Sequence, residues 1–218
     1  MKILSIIPAR KNSKRIKNKN KILLKKKKLI EHTFLVAKKS KSFDKILLTT
    51  DDKDLIRLSK KYNILAPWLR PKSLSGDFVP SYKAVLHAYN WYEKKFGKVD
   101  GIFILQPTSP FRDVKDLIKG HKLILNEECD SVVSVEQMPS QYSPYSAMKI
   151  INNKLKLLIK DDKPATRRQD LEDVYLRSGC FYFVQIKTLL QKKSLYGDIC
   201  LPIITNNQNT IDLDTLDD

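Results

Sequence analysis

The chain has 218 residues, 42% of them hydrophobic, and 41 Lys and Arg against 24 Asp and Glu give it a formal net charge of +17. That length supports one substantial core, no apolar run approaches the ~18–20 residues of a membrane span, and "MKILSIIPAR" reads as a first strand rather than a signal peptide. Three scattered cysteines, Cys129, Cys180 and Cys200, make neither a disulfide framework nor a zinc pattern, and fit free thiols in a reducing cytoplasm.

In chain order, residues 3–8 read as a buried strand and 30–40 as a helix with Ile30, Phe34 and Ala37 on one face. Residues 45–50 read as a strand, 54–62 as a helix and 81–96 as a longer one. A near-continuous apolar strand at 101–106 precedes a helix over 114–125 and a strand over 130–135. Uninterrupted apolar strands alternating with helices predict an α/β fold, a mostly parallel sheet covered by helices on both faces. Beyond 135 the rhythm changes. Residues 147–158 predict a hairpin about an Asn-Asn-Lys turn, 180–185 predict one more strand, and "QKKSLYGDICLPIIT" returns to the core. The layout is one domain over 1–218 with a hairpin insertion at about 138–175.

In doubly wound sheets, ligands lie outside the carboxyl ends of the strands. Segments 9–20, 49–52 and 106–112 are therefore the site candidates. Of the 41 cationic residues 33 are Lys, spread along the chain as a solvated surface would be; seven of the eight Arg fall in loop-like segments, and only Arg57 reads as helix surface. A guanidinium offers a planar fork matched to phosphate and carboxylate oxygens, so arginines kept to loops point to anion binding.

The first loop, "ARKNSKRIKNKN", holds Arg10, Lys14, Arg15, Lys17, Lys19 and Asn20. It has no glycine, so it matches neither a P-loop nor a dinucleotide fingerprint, and its side chains would have to hold any phosphate. "LQPTSPFR" stiffens a strand end with two prolines and offers Gln106 and Arg112 as a rigid amide and guanidinium. In "IDLDTLDD" an extended backbone sets Asp212 and Asp214 on one face. Two such carboxylates suit Mg²⁺, which leaves its other positions to water and phosphate; an ordinary acidic tail is the other reading. Thr215 would cap a helix after them. "RRQDLEDVYLRSGCFYF" gathers Arg167, Arg168, Gln169, Asp170 and Arg177 before an aromatic strand containing Tyr182, a density suited to a carboxylate- and hydroxyl-rich substrate.

Together and in this order, "IPARKNSKRIKNKN", "LRPKSLSGD", "LQPTSPFR", "RRQDL" and "IDLDT" resemble the motifs of the CMP-N-acylneuraminate cytidylyltransferases. The resemblance implies a Rossmann-like nucleotide-diphospho-sugar transferase fold and transfer of CMP from CTP to the 2-hydroxyl of a nonulosonic, sialic-type acid, releasing pyrophosphate. It implies that Arg10, Lys14, Lys19 and Asn20 hold the CTP phosphates and ribose and that Arg70, Asp77 and Ser81 lie near the cytosine. It also implies that Gln106, Arg168, Gln169, Arg177 and Tyr182 serve the sugar and that Asp212 and Asp214 bind Mg²⁺. Arg10, Lys19, Asp212 and Asp214 would carry the chemistry. The family is typically dimeric through the insertion, so Arg168 and Gln169 would act across a homodimer. Where the family has Arg-x-Asn-Gly this chain has "RSG", which bears on sugar choice: legionaminic or pseudaminic acid is the alternative substrate. A basic nucleic-acid-binding protein is the rival from another class, suggested by charge alone; it explains neither Asp-x-Asp nor the stiff "QPTSP".

Overall fold

A computed structural model describes residues 1–159, 172–205, 211–215 and 218. Six strands form one sheet: β1 (Ile3–Ala9), β4 (Lys45–Thr50), β5 (Gly101–Ile104), β6 (Ser131–Gln137), β9 (Tyr175–Gln185) and β10 (Cys200–Ile204), in the spatial order β10-β6-β9-β5-β1-β4. The pairs β1/β4, β1/β5 and β6/β10 are parallel, while β9 runs antiparallel to both β5 and β6.

Alternation along the strands feeds two cores. Ile3, Ile7, Phe103, Leu105, Phe181 and Phe183 face helices α1 (Leu29–Ser40) and α4 (Val114–Asn126), whose Phe34, Ala37, Leu117 and Ile124 close that side. Leu4, Ile6, Ile102, Ile104, Tyr182 and Val184 face α3 (Ser81–Phe96) and α5 (Ile186–Lys192) through Val85, Ala88, Tyr89 and Leu189. The predicted helix over 81–96 is α3 to the residue, and α2 (Lys53–Lys61) packs beside β4. Asp52 and Asp113 cap α2 and α4 by accepting the Asp54 and Lys115 backbone N–H groups at 2.8 and 2.9 Å.

Three features depart from the sequence reading. A short antiparallel ladder, β2 (Leu23–Leu24) with β3 (Lys27–Lys28), sits in a lysine-rich stretch for which the sequence predicts no element, with Lys25 and Lys26 both at positive φ. The strand expected over 180–185 begins at Tyr175, because its exposed first residues pair with the end of β6. Between these parts the register shifts: Ser134 stands opposite several residues of β9, and its hydroxyl bonds the Phe181 N–H and carbonyl at 2.9 and 3.0 Å.

Within the proposed insertion, β7 (Met148–Ile151) and β8 (Lys154–Leu157) form the expected hairpin as a separate sheet. Asn152 and Asn153 both adopt positive φ, the conformation a two-residue primed turn requires. No helix among the described residues is long and apolar enough to cross a membrane.

Candidate active site

The carboxyl ends of β1 and β5 open into a cleft of about 340 Å³. Arg10, Lys19 and Asn20 line one wall, Arg70, Asp77 and Ser81 another, and Gln106, Asp212 and Asp214 a third. These groups lie up to about 200 residues apart in sequence and meet here.

The loop after β1 ends in one 3₁₀ turn, Lys19–Lys21, entered through Asn18 in the left-handed region. That turn buries Lys19 and Asn20. Asn20 donates to the Arg10 carbonyl at 3.0 Å, drawing the loop's end back to its start. The Lys19 ammonium donates to the Leu213 carbonyl at 2.7 Å and to Asp214 at 2.6 Å, and Arg15 reaches Asp214 at 3.1 Å. Arg10 and Lys14 both pair with Asp77, Lys14 at 3.1 Å. Lys14 and Arg10 beside it hold the Asp77 carboxyl below the usual range. Lys14 borders the cleft through Asp77 rather than lining it, and its ammonium stands 5.1 Å over the exposed Phe78 ring.

Arg70 is buried, its Nε donating to Ser75 at 3.1 Å, and that burial lowers its pKa. Arg112 does not face the cleft. Although the stiff loop suggested a free guanidinium, it turns inward and binds the Cys180 carbonyl and Thr33 hydroxyl, both at 2.8 Å, and the Gln106 carbonyl. Burial lowers its pKa to about 10, so it stays cationic near neutrality. Its work is to hold Gln106 in the wall.

The closing segment of the site, 211–214, is pinned where the Leu213 N–H donates to the Thr108 carbonyl at 2.8 Å. Asp212 is open on its cleft side, yet crowding at its carboxyl raises its pKa; a bond from Thr108 opposes this and the neighbouring Asp214 adds to it. The pair is thus two hard oxygen donors held on one wall, repelling each other. No third His, Cys, Asp or Glu completes a metal cluster among the described residues. One or two carboxylates with phosphate and water is the usual Mg²⁺ donor set, and these residues fit it.

Arg177 and Tyr182 do not line the cleft. Arg177, on the exposed start of β9 rather than in a loop, donates to the Tyr196 hydroxyl at 2.7 Å. Tyr182 packs edge-on against the same Tyr196, with ring centroids 6.1 Å apart, and burial pushes its pKa to about 12. Tyr196 was missed because nothing local marks it. Thr108 lies within "LQPTSPFR", but its tie to Leu213 is a tertiary fact. Arg167, Arg168, Gln169 and Asp170 lie outside the described residues, as does part of the helix expected after Thr215.

Residues 4–198 match the family model for cytidylyltransferases. The chain belongs to the cytidylyltransferase family. It is therefore a nucleotidyltransferase enzyme. Relatives of this cytidylyltransferase include the CMP-N,N'-diacetyllegionaminic acid synthase of Legionella pneumophila, 30% identical over 99% of this chain and 92% of that one. The pseudaminic acid cytidylyltransferase of Campylobacter jejuni is 32% identical over 100% of this chain and 93% of that one. Among solved structures, a CMP-2-keto-3-deoxy-manno-octonic acid synthetase in complex with CTP superposes with a TM-score of 0.69 at 14% identity, covering 99% of this chain and 94% of that one. At that identity the likeness speaks for the nucleotidyltransferase fold.

Gly179, in the irregular part of β9, has φ +70, and a Cβ there would lie 3.1 Å from the Ser109 hydroxyl and 3.4 Å from the Asp212 carboxylate. A Gly179→Ala cytidylyltransferase should lose about 1–2 kcal/mol from the left-handed backbone alone. Denaturant melts would read that loss. Turnover should fall as well, because the methyl crowds the Ser109 hydroxyl and comes into contact with Asp212.

Proposed function

We propose that this enzyme transfers CMP from CTP to the 2-hydroxyl of a nonulosonic acid, releasing pyrophosphate, with Mg²⁺ held by Asp212 and Asp214. The observation that carries the reading is the meeting, in one cleft, of a glycine-free cationic loop with two carboxylates on a separate wall. Each cation of the loop that reaches the cleft is matched by a carboxylate: Arg10 by Asp77, and Lys19 by Asp214. A triphosphate would take over the cations and a divalent ion the Asp-x-Asp pair. The site therefore exchanges partners rather than uncovering bare charge, which would be costly for the buried Lys19.

In the reaction, the sugar hydroxyl oxygen forms a bond to the α-phosphorus as the α–β bridging bond breaks. Its proton passes to solvent water, and pyrophosphate leaves with the electron pair of the broken bond. Arg10 and Lys19, once taken over from Asp77 and Asp214, and Lys14 at the cleft's border hold the phosphate oxygens on which negative charge grows, so that no further reorganisation is needed during the transfer. Asn20 holds the loop closed on Arg10 and offers its amide to the ribose. Arg70, Asp77 and Ser81 flank the base, and Gln106 faces the sugar. Bound Mg²⁺ would neutralise phosphate charge and ease deprotonation of the attacking hydroxyl.

The names of the two relatives favour N,N'-diacetyllegionaminic and pseudaminic acids over N-acetylneuraminic acid as first substrates to try. The test incubates the enzyme with each of the four nucleoside triphosphates, Mg²⁺ and these three sugars, and follows pyrophosphate. Release with CTP and one of the sugars is expected; absence of release with every such pair would end the reading.

The homodimer belongs to the same proposal. Ile150 and Leu155 face each other across β7 and β8, and they are 74% and 64% exposed. With Met148 and Leu157 as the next pair on that face, the hairpin turns an apolar side outward. Light scattering should give a dimer for the native chain and a monomer for Ile150→Asp/Leu155→Asp; a native monomer would refute the assignment.

A further inference from the structure

Segment 49–52, singled out by its place at a strand end, contributes no residue to the cleft wall. It contacts the cationic loop at both ends instead. At the loop's start, the Lys11 N–H donates to Asp51 at 2.7 Å. At its end, Lys21 pairs with Asp52 at 2.9 Å and with Asp54 at 3.2 Å. The Asp52 side chain is 4% exposed, and its other oxygen caps α2. Asp51 also stands 3.8 Å from the buried Arg70 guanidinium on the opposite wall.

Residues 10–21 contain seven Lys and Arg and no glycine. Such a loop repels itself, and it presents side chains rather than a backbone cradle, so the positions of its side chains depend on a fixed base. The single turn Lys19–Lys21 sends three successive side chains to three anchors: Lys19 to the Asp214 segment, Asn20 to Arg10, and Lys21 to Asp52.

We propose that the adjacent carboxylates Asp51 and Asp52 are positioning residues that clasp the two ends of the cationic loop and set where Arg10 and Lys19 stand for the nucleotide. The role in catalysis rests on the CTP reading; the clasp itself does not. Capping α2 would need Asp52 alone. It would not need Lys21, nor Asp51 beneath the Lys11 N–H.

The experiment uses Asp51→Ala, which leaves the α2 cap alone, and Lys21→Met, which takes the cation from Asp52 but keeps the carboxylate that caps α2, with Lys21→Arg as the conservative control. Hydrogen exchange should quicken at least about tenfold at the Lys11 amide in Asp51→Ala, and at the Lys19, Lys21 and Ile22 amides in Lys21→Met, with α2 and the sheet unchanged. The KM for CTP should rise about tenfold in each, with kcat and the KM for the sugar held, and Lys21→Arg should restore it. Unchanged exchange in the loop overturns the clasp. A fall in melting temperature with both KM values and kcat moving together overturns the positioning role. If the native enzyme fails to turn over CTP, the CTP reading falls, while exchange still decides the clasp.

Discussion

Lys19→Met is expected to lower kcat/KM for CTP by about 10²–10³-fold, the scale of losing one preorganised charge donor from a developing-charge site. Among the loop's cations Lys19 is buried, whereas Lys14, Arg15 and Lys17 are exposed. Its ammonium is also bonded to two acceptors on the closing segment of the site, the Leu213 carbonyl and Asp214. Methionine fills the same channel without charge, so the fold should survive. On the proposed reading a phosphate contact is lost, and in the free enzyme so is the bond from the loop to Asp214. Lys17→Met, on the same loop but in solvent, should stay within about twofold of the native enzyme, as an exposed surface charge does. Equal effects of the two substitutions in a steady-state pyrophosphate assay would mean that the loop acts by overall charge, and would contradict the site described here.

Arg112→Met is expected to give the largest loss of stability. Its guanidinium ties three elements together through the Cys180 carbonyl, the Gln106 carbonyl and the Thr33 hydroxyl of α1, entirely inside the core. Removing it strips this donor from the Cys180 carbonyl and the Thr33 hydroxyl, while the Gln106 carbonyl keeps the Ser109 N–H; at about 1–3 kcal/mol for each of the two, the loss is roughly 2–6 kcal/mol. For a chain of this size that is on the order of 10 °C in melting temperature, read by calorimetry. Lysine cannot replace it, since a point charge does not reach three acceptors arranged for a fork. An Arg112→Lys variant should therefore also be destabilised. If it melted like the native protein, the fork geometry would not matter.

The same arginine marks the limit of what the sequence discloses. That it sits in a stiff loop at a strand end was legible; that it points inward was not, because direction depends on Thr33 and Cys180, far away in sequence. Helices and buried strands were legible because their apolar spacing is set by the core they face, as in α3 and β5. The hairpin at Asn152 and Asn153 was legible because few residues tolerate the left-handed turn it needs. The exposed start of β9 was not, since a strand paired at its edge carries no apolar run. Arg10, Lys19, Asn20, Arg70, Asp77, Ser81, Gln106, Asp212 and Asp214 line one cleft. Arg177 and Tyr182 gather instead about Tyr196, outside the cleft wall. The roles of Asp51 and Asp52 were hidden by their resemblance to an ordinary helix cap.

A crystal structure of the enzyme with CTP and Mg²⁺ tests the central claim most directly. The expected result has the triphosphate against Arg10, Lys14 and Lys19, the cytosine beside Arg70, and the metal on Asp212 and Asp214, with the Arg10–Asp77 and Lys19–Asp214 pairs opened. A triphosphate bound elsewhere on the basic surface, with both ion pairs intact, would contradict it.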